Sequence, residues 1–119
     1  MRNIIKILIL GGIHEAKQLA SKLTKLPNVK IIYSLAGKTQ NPNVPNCEII
    51  TGGFGGIQGL SSYIKSLGFD LVIDATHPFA TQIANNAYTS SKRTGTAYIK
   101  LCRKPWESDI INWTSAINP

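Results

Sequence analysis

Residues 4–23, "IIKILILGGIHEAKQLASKL", decide how the rest of the chain is read. Ile4 to Leu10 is apolar except for Lys6, as expected of a strand covered on both faces. Gly11-Gly12 interrupts it, and Ala16, Leu19, Ala20 and Leu23 then recur at i, i+3, i+4 and i+7, which is one face of a helix. A buried strand that passes through glycines into an amphipathic helix is the opening of a βαβ unit.

The same alternation continues to the end of the pattern. Pro27-Asn28 ends the first helix, and Val29 to Ser34 is a second β-rich run. Thr39 to Asn46, with Pro42 and Pro45, reads as a surface loop. Glu48 to Thr51 is a short third strand, and Ile57, Leu60, Ile64 and Leu67 mark a helix that Gly68 terminates. Leu71 to Asp74 is the fourth strand. Pro78 stands where a first-turn proline belongs, with Thr76 or His77 placed to cap the helix it starts. Phe79, Ile83, Ala84 and Ala87 form that helix's apolar face, and Gly95 leads into a fifth strand, Ala97 to Leu101. The expected fold is a doubly wound, Rossmann-like parallel α/β sheet with helices on both faces and ligands at the carboxyl ends of the strands. Residues 1–104 form this domain, and 105–119 read as a linker or tail towards a second domain.

Composition narrows the function classes. A chain of 119 residues with 43% hydrophobic and 16% charged residues suits one globular domain. No apolar run approaches the roughly 18 residues of a membrane span. The apolar stretch near the N-terminus stops at Gly11-Gly12 without a cleavage site, so a cytoplasmic protein with reduced Cys47 and Cys102 is expected. The net charge of +7 asks for an anionic partner, yet the basic residues are scattered and lack interleaved aromatics. Nucleic acid and membrane are therefore not expected partners, and a polyanionic small molecule is. Two histidines and two unrelated cysteines supply neither metal-ligand spacing nor a catalytic triad. A cofactor that brings its own chemistry fits better.

Four loops at strand ends can carry that cofactor. Gly11-Gly12 precedes a helix N-terminus, where backbone amides favour a phosphate, although the pattern is not G-x-G-x-x-G and a plain glycine turn explains it as well. His14 reads as an exposed first-turn residue. "SLAGKT" (34–39) sits where a dinucleotide fold tests the adenosine ribose. It holds Ser34, Lys38 and Thr39 and no carboxylate, which favours NADP(H) over NAD(H) if a dinucleotide binds; otherwise it is a solvated turn. In "GGFGG" (52–56), four glycines surround Phe54, which either covers a flat ring or anchors the loop in the core. In "DATHPFA" (74–80), capping accounts for Thr76-His77-Pro78 but leaves Asp74 unexplained.

"ILILGGIHEAKQLA", "SLAGKT", "GGFGGIQGL", "DLVIDATHPFA" and "CRKPW" follow in the order found in precorrin-6A reductases, including the cobalt-precorrin-6A form, and the chain resembles that family over residues 4–106. The resemblance implies an NADPH-dependent enzyme of cobalamin biosynthesis. It reduces one C=C bond of the corrin ring, at C18–C19, converting precorrin-6A to precorrin-6B by hydride transfer. It implies a cofactor site at Gly11, Gly12, Ile13, Ser34, Gly37, Lys38, Thr39, Gly52, Gly53, Phe54, Asp74, Ala75 and Thr76. It implies substrate contacts from Phe54, Gly55, His77 and Phe79, with His77 and Asp74 as candidates for proton transfer. The substrate, a tetrapyrrole with many carboxylates, gives the positive charge a partner. The family usually has threonine at Ile13 and arginine at Lys38; lysine keeps the charge without the planar fork. Family members run to about twice this length, so the chain reads as an N-terminal half, monomeric or weakly associating. The alternative is a truncated, non-catalytic nucleotide-binding remnant.

Overall fold

The computed structural model describes residues 4–35, 47–77 and 80–101. The elements follow the order β1 (Ile5–Gly11), α1 (His14–Leu23), β2 (Val29–Leu35), β3 (Glu48–Thr51), α2 (Gly56–Leu67), β4 (Leu71–Asp74), α3 (Thr81–Thr94) and β5 (Ala97–Lys100). The strands form a five-stranded sheet in the order β3-β2-β1-β4-β5, parallel at every pairing. This is the doubly wound α/β arrangement that the alternation of runs predicts. The expected loop at Thr39–Asn46 and the division near residue 104 lie outside the described residues.

Alternate side chains of β1 feed two separate cores, one on each face of the sheet. Ile7 and Ile9 pack with Ile31, Tyr33, Ile73, Ala75 and the helix residues Ala16 and Ala20. Leu8 and Leu10 pack with Ile32, Val72, Phe69, Leu60 and Ile64 of α2, and Ala87 of α3. Burial on both faces is why β1 reads as an almost unbroken apolar run. The helix residues that meet the sheet from the α1 side are alanines with no exposure, so that helix lies close against the strands. Each large side chain in these cores contributes about 1.5–3 kcal/mol by leaving water.

Helix ends are set by backbone conformation. Gly68 follows α2 at φ 70° and Gly95 follows α3 at φ 71°, left-handed positions that glycine adopts without steric penalty. The start of α3 differs from the sequence expectation. The helix begins at Thr81 with Ala80 as its N-cap and no side-chain cap. Thr76 does not cap it, because its hydroxyl is turned back to Asp74 at 2.6 Å. Pro78 and Phe79 lie outside the described residues.

Candidate functional site

The strand order reverses at β1. Chain progress runs outward through β2 and β3 on one side and through β4 and β5 on the other. The crevice above the carboxyl ends of β1 and β4 is the place where open α/β sheets take ligands. Here the β1–α1 turn and the segment that leaves β4 are stitched together. The Ala75 amide donates to the Leu10 carbonyl at 2.8 Å, and the Ile13 amide donates to the Ala75 carbonyl at 3.1 Å.

The two glycines of the first turn are required by contact. A Cβ on Gly11 would lie 2.5 Å from the Tyr33 hydroxyl, and one on Gly12 would lie 2.9 Å from the His77 amide nitrogen and 3.0 Å from the Thr76 Cα. Burial pushes the Tyr33 phenol above the ordinary tyrosine range, and the neighbouring Cys47 adds to this. Ile13 is turned inward: its side chain belongs to the α1-side core and its amide is taken by Ala75. The Ile13 side chain and amide are thus both engaged within the fold.

A small cleft opens between these turns and the glycine-rich loop. Its walls are Leu10, Gly11, Ser34, Gly52, Gly53, Phe54, Thr76 and Ile83. Six of the residues expected from the sequence thus come together, while Leu10 and Ile83 were not anticipated. An open depression lined by Ala80, Thr81, Gln82, Ile83 and Asn86 adjoins it, with Ile83 common to both. Gly52, Gly55 and Gly56 have φ of 94°, 91° and 74°, so this loop needs glycine for its backbone path. Phe54 anchors the loop in the core, as one of the two expected roles requires. Its half-buried ring stands 5.1 Å from that of Tyr63 and packs on the α2-side core, yet it also lines the cleft.

The three described helices start at this edge of the sheet, at N-caps Ile13, Gly55 and Ala80, and none has a side-chain cap bond. Their first-turn amides are an electrostatic setting for an anion. The first turns of α2 and α3 carry no acidic residue, that of α1 carries Glu15, and no described residue that lines the cleft is charged. Asp74 and Ala75 are buried outside the cleft lining, Gly12 is exposed in the β1–α1 turn, Gly55 is the N-cap of α2, and His77 is exposed next to Thr76. His14 is exposed, as the sequence suggests. Gly37, Lys38, Thr39 and Phe79 lie outside the described residues.

Sequence reasoning missed Tyr98 and Lys100. Both reach Asp74 from β5, at 2.7 Å and 3.4 Å. The only available signal was polar residues near the ends of two strands, and their adjacency requires the strand order. Among the described residues there is no group of three or more potential metal ligands, and no helix is long and apolar enough to cross a membrane.

The fold is shared with known proteins. A precorrin-6A reductase from Rhodococcus erythropolis is 43% identical over 101 residues, covering 85% of this chain and 41% of that protein. One from Rhodobacter capsulatus is 41% identical over 110 residues, covering 92% and 43%. The solved structure of a CobK precorrin-6A reductase superposes with a TM-score of 0.78 at 40% identity, over 87% of this chain and 41% of that one. The chain thus spans about two-fifths of the length of these relatives. The family described as Precorrin-6x reductase CbiJ/CobK matches residues 6–118, and the chain belongs to that family.

Proposed function

We propose that the chain is the NADPH-binding half of an enzyme that reduces one C=C bond of precorrin-6A, or of its cobalt form, in cobalamin biosynthesis. The observation that carries the reading is the cleft at the β1/β4 reversal, set among uncapped helix starts, in a member of the precorrin-6x reductase family. Gly11 and the glycines after β3 line this cleft without side chains, so phosphates can approach the amides of α1 and α2. Ser34, buried near the end of β2, stands where NAD-preferring domains place a carboxylate, and Lys38 follows four residues later. That combination suits a 2′-phosphate.

Bound NADPH supplies the hydride. The chain's own task is to bind and orient: the glycine turns hold the phosphates, while Phe54 and Ile83 form apolar walls that limit ring movement and exclude water. The macrocycle is assigned to the adjoining depression at the start of α3, where first-turn amides and the net charge of +7 favour its carboxylates. His77, exposed near the rim, is a candidate to relay the accompanying proton.

Titration of the purified chain with NADPH and NADH tests the cofactor assignment. Tighter binding of NADPH is expected; no binding, or a preference for NADH, would sink it.

A further inference from the structure

Asp74 ends β4 with no exposed side-chain surface. A carboxylate taken out of water needs partners for both oxygens, and here the two are divided. Oδ1 accepts the Thr76 amide at 3.1 Å and the Thr76 hydroxyl at 2.6 Å. Oδ2 accepts the Tyr98 hydroxyl at 2.7 Å and faces the Lys100 ammonium at 3.4 Å. Lys100 lies directly opposite Asp74 in the β4–β5 register. One oxygen shapes the turn that leaves β4, and the other fastens that turn to the neighbouring strand.

The turn it shapes is the surface that Gly12 meets. There is no room for a Cβ between Gly12 and Thr76-His77, and Ile13 is bonded to Ala75. A shift of a few tenths of an ångström at Thr76 therefore moves Gly12 and the start of α1 with it. Thr76 and Gly11 both line the cleft, so its width depends on this spacing.

We infer that Asp74 is a positioning residue, anchored by Tyr98 and Lys100, which sets the gap between the β1–α1 turn and the turn after β4 and thereby the affinity for the cofactor. Four donors already surround its carboxylate, an arrangement that suits an anchor rather than a proton donor. The assignment rests on the NADPH reading above and adds to it two residues on β5, Tyr98 and Lys100, that are not among the residues lining the cleft.

Two variants test it. Tyr98→Phe removes one donor and keeps the ring, including its edge contact with Tyr88. Asp74→Asn keeps the shape and removes the charge. For each, NADPH affinity is measured by calorimetric titration, amide exchange by NMR, and the fold by circular dichroism. Tyr98→Phe is expected to remain folded, to lose exchange protection at Thr76 and Ile13 but not at Ile64, and to bind NADPH about tenfold more weakly, the equivalent of one hydrogen bond to a charged group. Asp74→Asn is expected to bind more weakly still. If both variants alter only the melting temperature and leave NADPH affinity within about twofold of wild type, the inference fails while the cofactor reading stands. A wild-type chain that binds no NADPH overturns both.

Discussion

The two glycine-rich turns of this molecule look alike in sequence and differ in cause. Gly11-Gly12, after β1, is glycine because neighbouring atoms occupy the space where a side chain would go. The loop after β3 is the reverse. Gly52 and Gly56 have open space around them, but their backbone takes positive φ. Gly53 has neither a neighbour within 4 Å nor a positive φ. A glycine can therefore mark a crowded backbone contact, an unusual turn, or a position that the fold leaves open.

Alanine substitutions should separate these cases, beginning with the largest effect. Gly12→Ala sets a methyl against the backbone of Thr76 and His77, which cannot rotate away. A loss of about 3 kcal/mol is expected, at the upper end of overpacking penalties, seen as a melting temperature lower by roughly 12 °C or more. A change below about 1 kcal/mol would show that the two turns are not in contact. Gly11→Ala meets the Tyr33 side chain instead, with a loss of about 2 kcal/mol. Pairing it with Tyr33→Val should recover part of that loss, and strict additivity in the double mutant would contradict the proposed contact.

Gly52→Ala has room but the wrong backbone, so a smaller loss of about 1–2 kcal/mol is expected from strain at positive φ. Gly53→Ala should stay within about 0.5 kcal/mol of wild type in denaturant titrations. If Gly53→Ala keeps its stability but loses NADPH affinity, the open glycine is a point of ligand approach.

Alkali probes the first turn by another route. Burial raises the pKa of Cys47, partly opposed by a backbone hydrogen bond at Tyr33, and burial also raises the pKa of Tyr33 beneath Gly11. The unfolded chain loses these protons first, so stability is full below the ordinary thiol value of 9.0 and falls as pH rises through the two folded-state ionisations. Denaturant titrations between pH 7 and 11 should show that decline, reduced in Tyr33→Phe.

The fold was legible because its signals are local. Ala16 and Ala20 sit on the buried face their spacing implies, and Gly68 ends α2 where the periodicity stops. The site was legible as a set of loops, since parallel topology sends every strand end to one edge. The start of α3 was misread because the helix begins only after Ala80, while the Thr76 hydroxyl is held by the buried carboxylate of Asp74, to which it donates. The partners of Asp74 were out of reach because they stand 24 and 26 residues away, on a strand whose neighbour only the folded sheet defines.

Phe54 gives the second turn a mechanical property. Its ring lies against Tyr63, and the Tyr63 ring stands 5.7 Å from that of Phe69 at the foot of β4. The loop is thus glycine-rich on both sides and pinned at its midpoint, like a ribbon held by one nail. Two short glycine spans flank the pin instead of one long span, and each has fewer shapes to give up when a ligand arrives. The position of the loop is set in part by an aromatic column, Phe54, Tyr63 and Phe69, whose last two members lie outside the cleft lining.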